Sequence, residues 1–167
     1  TNTVLRFLKF QHACGAHVVQ LFESCAHLFT KDEYLEFALP CQQRILDALR
    51  GSVPSIFFAR VSDDCIPMKV LAAAGADVVS LSTTRLISDV RAEIGSSTVI
   101  QGNLDNRLLA SGPIDSILES TRACLEAGES RGHIFNLNHG ILADTPHNHI
   151  IRVVDYVRSY KRPTEKS

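Results

Sequence analysis

The sequence lacks an excess of either charge, a long apolar run and any closely spaced cysteine pair. Lysine and arginine number 17 against 18 aspartates and glutamates, a formal net charge of −1. No basic field marks a nucleic-acid partner. No apolar stretch reaches the roughly 20 residues of a membrane span, so the chain is read as not transmembrane. The five cysteines, Cys14, Cys25, Cys41, Cys65 and Cys124, are odd in number and form no C-x-x-C. That excludes a disulfide frame or a zinc knuckle and predicts a reducing compartment with mostly buried thiols. No secretory pattern opens the chain. Its start, Thr1-Asn2-Thr3, has no methionine, so a processed or truncated terminus is expected. Internal repeats, low-complexity segments and a domain linker are also absent. What is present is 167 residues, 45% of them hydrophobic, enough for one domain with a real core.

Short apolar runs alternate with segments of helical period. Residues 17–22, 55–59, 77–81, 98–102 and 133–137 read as strands, nearly all apolar as in sheets covered on both faces. Residues 3–14 read as a first helix ending near Gly15. Thr30-Lys31-Asp32-Glu33 is a capping box opening a second. That helix directs Leu35, Phe37, Leu39, Ile45, Leu46 and Leu49 inward; Pro40 kinks it and Gly51 ends it. Further helices are predicted over 67–74, 86–94 and 113–127. A last one, to about Tyr160, has Thr145 as N-cap and Pro146 at its first position. Strands alternating with helices imply βαβ units and a parallel sheet.

The most informative stretch is Gly132-His-Ile-Phe-Asn-Leu-Asn-His-Gly-Ile-Leu142. Here a strand gives way to Asn138, His139 and Gly140, placing an imidazole at the strand end where parallel α/β proteins bind ligands. On spacing alone, His139 is equally a turn histidine bonded to a nearby carbonyl.

The wording of this stretch resembles the final strand of uroporphyrinogen decarboxylases, G-H-I-F-N-L-G-H-G-I. Leu21-Phe22-Glu23-Ser24 is similar to the family's F-[DE]-S strand end, and residues 36–49 to its following helix. Gly75-Ala-Asp-Val-Val and Gln101-Gly-Asn-Leu-Asp105 are similar in the same order. The resemblance covers about residues 3–160. It implies an α/β fold, a partial (β/α)8 TIM-barrel-like arc. Five parallel strands alternate with helices over residues 1–160, followed by a polar tail, 161–167. The family barrel has eight strands, and its first three have no counterpart here. Either a partner props an incomplete barrel, or another chain supplies the rest, or the chain folds as an open sheet.

The resemblance also implies a chemistry. Family members convert uroporphyrinogen III to coproporphyrinogen III in porphyrin, heme and chlorophyll biosynthesis. They remove carbon dioxide from four acetate arms of an octacarboxylate tetrapyrrole, without cofactor or metal, using a protonated pyrrole as electron sink. Ser24 and His139 match two family positions that contact substrate carboxylates; Ser24 is equally a candidate cap of the following turn. The N-terminal motifs R-Q-A-G-R and F-S-D, which supply carboxylate-binding arginines and the aspartate facing the pyrroles, are absent. Losing such a stabiliser costs several kcal/mol of barrier, at about 1.4 kcal/mol per tenfold in rate. No residue is therefore assigned as catalytic, and whether the chain is an enzyme is left open.

Other positions depart from the family wording. F-A-K-G reads Phe58-Ala59-Arg60-Val61, and G-L-D-W-T reads Ser80-Leu81-Ser82-Thr83-Thr84. N-L-G-H-G has Asn138 for its first glycine, and G-N-L-D-P has Asn106 for its proline. Strand ends depart more than strand cores. Three other signals read as structural. His12-Ala13-Cys14 lies on a helix without a ligand set. Asp63-Asp64 suits a helix entry. His147 and His149 flank an exposed helix start and are read as solvated.

Two functions follow as expectations. One is a decarboxylase completed by a missing segment or partner. The other is an inactive family member serving as an accessory subunit of a larger assembly, with a protein partner on the open sheet edges. The pathway places it in plastid or cytoplasm, and family members commonly form homodimers.

Overall fold

The computed structural model describes residues 1–61, 66–95, 97–128 and 132–161. Asp63, Asp64, Cys65 and the tail from residue 162 lie outside them. Each predicted strand forms, shorter than or equal to its apolar run. The strands are β1 (Val19–Glu23), β2 (Ser55–Ala59), β3 (Val78–Ser80), β4 (Val99–Gln101) and β5 (His133–Ile134). All pair in parallel, in the order β1-β2-β3-β4-β5. The sheet is open: β1 and β5 are its two edges and do not meet. Beyond β5 the pairing thins to a bridge between Leu104 and Leu137.

The connections are helical. Helix α1 (Asn2–Ala13) precedes β1, and α2 (Lys31–Glu33), a π-helical turn (Tyr34–Ala38) and α3 (Leu39–Asp47) link β1 to β2. The capping box forms as predicted: Thr30 Oγ1 accepts the Glu33 amide at 3.3 Å, and Glu33 accepts the Thr30 amide at 2.8 Å. The wide turn sits ahead of Pro40, which has no amide to donate to the preceding turn. It also corrects one expectation. The helix face is rotated there, so Phe37 is 59% exposed while Tyr34 and Ala38 are buried. Leu46, Leu49 and Ile45 are buried as read.

Helices α4 (Met68–Ala72) and α5 (Ile87–Ile94) follow β2 and β3; α6 (Asn106–Ser111) and α7 (Ile114–Ala127) follow β4; α8 (His147–Ser159) follows β5. Helix α6 has no counterpart in the sequence reading. Asp105 caps it, its carboxylate accepting the Arg107 amide at 3.0 Å. At α8 the N-cap is Pro146 rather than Thr145, because the proline itself is extended, with φ −61° and ψ 129°.

Alternate residues of each strand face opposite ways. Val19, Leu21, Phe57, Ala59, Val79 and Ile100 pack in the main core with Leu8, Leu46, Leu71 and Val90 of the helices and with Leu49 of the turn after α3. A second cluster joins Leu104, Leu109, Ile117 and Val153 beside β5. Gln20, Phe22, Ile56, Phe58, Val78, Ser80, Gln101 and Ile134 line the other face. Phe22 and Ile134, on the two edge strands, are 62% and 41% exposed.

The thiols are less buried than expected. Cys14, Cys25 and Cys41 are exposed, in a helix end, a turn and the outer surface of α3, and Cys124 is half-buried. Among the described residues no helix is long and apolar enough to cross a membrane.

Candidate functional site

The carboxyl ends of the strands border a cleft of about 550 Å³. Gln20, Phe22 and Ser24 reach it from β1 and its end, Phe58 from β2, Ser80 from β3 and Gln101 from β4. The segment after β5 adds His139, and α8 adds Ile150, Val153 and Val154. The parallel register sets this up, since Phe22 is level with Phe58, Phe58 with Ser80, and Ser80 with Gln101. One cross-sheet row therefore runs from an edge phenyl to a buried amide. Gln101 Nε2 donates to Ser80 Oγ at 3.0 Å, satisfying two polar groups that the strands bury.

Both residues singled out from the sequence, Ser24 and His139, line this cleft. The imidazole stands edge-on to the Phe58 ring, centroids 5.7 Å apart and planes at 73°. Phe58 in turn lies 5.7 Å from Phe22. Among the described residues no hydrogen bond to a turn carbonyl holds the His139 ring; an aromatic shelf does. Ser24 is exposed, and the turn after β1 is closed by Glu23, whose carboxylate accepts the Cys25 amide at 3.2 Å. Among the described residues lining the cleft, His139 is the ionisable one.

Buried asparagines and hydroxyls hold the loops around the cleft. Asn103 Nδ2 donates to the carbonyls of Thr83 and Arg85, at 3.0 and 2.7 Å. Thr83 Oγ1 accepts the Arg85 amide at 3.0 Å. Asn138 Oδ1 accepts the Asn106 amide at 3.0 Å, and Asn106 Nδ2 donates to the Gly140 carbonyl at 2.8 Å. Behind Asn103 sits Cys124, whose thiol is pushed up by burial. Gly102 (φ +133°) brings β4's end against Leu81; a Cβ there would lie 3.3 Å from the leucine's own.

The remaining sequence candidates fall elsewhere. His12, on the last turn of α1, shares a 3.0 Å hydrogen bond with the Ala16 carbonyl, and among the described residues no three His, Cys, Asp or Glu side chains converge to hold a metal. His147 is exposed. His149 is not simply solvated: its Nδ1 lies 2.8 Å from the Leu109 carbonyl and ties α8 to α6. Sequence reasoning passed over Gln20, Phe58, Ser80 and Gln101. For Gln20, Ser80 and Gln101 the signal available was a polar residue on alternate positions of otherwise apolar strands; Phe58 carried no such signal.

Comparison with known proteins agrees with this geometry. The model of the uroporphyrinogen decarboxylase family matches residues 1–160. Uroporphyrinogen decarboxylase from Thermosynechococcus vestitus is 34% identical over 159 residues, covering 95% of this chain and 46% of that protein. The enzyme of the same name from Corynebacterium diphtheriae is 36% identical over 165 residues, covering 95% and 47%. The chain thus spans about half the length of the curated relatives it matches. Among solved structures, a methyltransferase from Methanosarcina mazei superposes with a TM-score of 0.77 at 18% identity, over 91% of this chain and 44% of that one. A B12-independent methionine synthase from Shewanella gives 0.62 at 14% identity, over 91% and 50%. These two show the fold, a TIM-barrel-like arc of five βα units. A family match reaching from residue 1 to residue 160, with relatives a third identical across nearly all of the chain, makes this protein a member of the uroporphyrinogen decarboxylase family.

Proposed function

We propose that residues 1–160 form the carboxyl-terminal part of a uroporphyrinogen decarboxylase site, with Ser24 and His139 as contacts for substrate carboxylates. The observation that carries this reading is their position: far apart in sequence, both line one cleft at the carboxyl ends of parallel strands. Each decarboxylation releases carbon dioxide from an acetate arm and returns a proton to the methylene carbon left behind. The Phe22, Phe58 and His139 rings offer a surface to the flat macrocycle. Ser24 Oγ and the His139 imidazole offer hydrogen bonds to its rim. Among the described residues, the side chains lining the cleft include no aspartate to balance a protonated pyrrole. In this reading that group comes from a further segment or another polypeptide on the β1 and β5 edges, and plastid or cytoplasm is the site of action.

A second reading is favoured by the departures at Arg60, Val61, Ser82 and Thr83. It makes the chain an inactive scaffold, an accessory subunit whose edges bind a protein partner.

The test is anaerobic incubation of the purified chain with uroporphyrinogen, following the partly decarboxylated products. Turnover abolished by His139→Ala and reduced by Ser24→Ala supports the enzyme. Absence of turnover even when the amino-terminal half of a family relative is supplied in trans supports the scaffold.

A further inference from the structure

Two departures from the family wording meet in space. Position 106, a proline in G-N-L-D-P, is Asn106; position 138, a glycine in N-L-G-H-G, is Asn138. Both are buried, each 7% exposed. The Asn106 amide donates to Asn138 Oδ1 at 3.0 Å. Proline has no such hydrogen and glycine no such acceptor, so neither family residue could make this bond. Asn106 adds a second tie, from its Nδ2 to the Gly140 carbonyl at 2.8 Å. His139 lies between the two residues that are held.

The backbone itself demands neither change. Asp105, with φ −64° and ψ 120°, is compatible with a following proline, and position 106 is the first of helix α6, where proline is favoured. Asn138 does not have a positive φ, so glycine is not required there for conformational reasons. Either asparagine alone would leave a buried polar group stranded: Oδ1 facing a proline ring, or an amide facing a bare glycine. Together they satisfy each other.

We propose that Asn106 and Asn138 are a coupled replacement, a clasp of positioning residues that seats His139 on the Phe58 ring at the mouth of the cleft. The loop after β5 is re-fastened by different chemistry, not loosened. The clasp stands without the decarboxylase reading; only its effect on ligand affinity rests on that reading.

The experiment is a cycle of Asn106→Pro, Asn138→Gly and the double variant, with two readouts. The carbon-bound protons of the His139 ring, shifted by the Phe58 ring current, report seating by NMR. Fluorescence titration with uroporphyrin, the oxidised octacarboxylate, reports binding. Each single variant should displace the His139 signals and weaken binding by about tenfold. The double should return the signals and bring affinity to within about threefold of wild type, instead of losing about a hundredfold. Single variants that leave His139 in place, or a double in which the losses multiply, overturn the clasp. If wild-type protein binds no uroporphyrin, the ligand reading fails while the NMR arm still decides the clasp. Should either single variant fail to fold, Asn106→Ala keeps the amide bond and deletes the Gly140 tie. It must still shift the His139 signals, and unchanged signals overturn the proposal.

Discussion

The two faces of the sheet are made by alternate residues of the same strands, yet they end differently. On one face Phe57, Val79 and Ile100 are essentially inaccessible beneath α1, α3, α4 and α5. On the other, Ile56, Phe58 and Val78 are covered, but Phe22 and Ile134 at the edges are open to solvent. The first face is completed by helices this chain supplies. The second would be completed, in a closed barrel, by side chains from further strands. The chain therefore carries a self-sufficient half of its hydrophobic interior and a half that is not.

Substitutions can break or sharpen that contrast. Phe57→Ala should lose about 3–5 kcal/mol of stability in urea melts, from lost burial plus a cavity. Phe22→Ala should change it by less than about 0.5 kcal/mol, as for an exposed site. Comparable losses would mean that the open face is closed in solution. Next in size is Ser80→Ala, which leaves the buried Gln101 amide without its acceptor and should cost about 1–3 kcal/mol.

Tyr34→Phe follows, at about 1 kcal/mol, because the phenol donates to Gln42 Oε1 at 2.6 Å inside the helix-covered half. It also has a pH signature. Burial, aided by the Glu23 carboxylate, raises the Tyr34 phenol above the ordinary tyrosine value. An unfolded tyrosine loses its proton near pH 10 while the folded one keeps it. The stabilisation is therefore complete below about pH 10 and is lost as pH rises beyond it. Melts of the phenylalanine variant across pH 9–11 should show a shallower alkaline decline. The smallest effect on stability belongs to Phe22→Ser combined with Ile134→Ser, near zero in urea. The same pair should visibly reduce binding of a hydrophobic dye, because it removes the exposed apolar rim.

Much of this arrangement was readable in the residues. Strand positions were legible because Val, Ile and Phe cluster between glycines and prolines, and the capping box because its reciprocal bonds are local. The rotation that exposes Phe37 was not, since a π turn changes the helix phase without changing composition. Helix α6 was missed because its six residues are too few for a period to show. Ser24 and His139 were found through wording, and the fold brings them to one cleft. Asn106 and Asn138, read one at a time, are two departures; only proximity makes them one hydrogen bond.

The strand order has a further consequence. Every strand pairs with its immediate successor in the chain, so each βα unit can dock on the one made before it while translation continues. The sheet can grow outward like a fan, without waiting for a distant segment. Amide hydrogens should then exchange most slowly in β2 and β3, and progressively faster toward both rims, where a neighbour is present on one side alone.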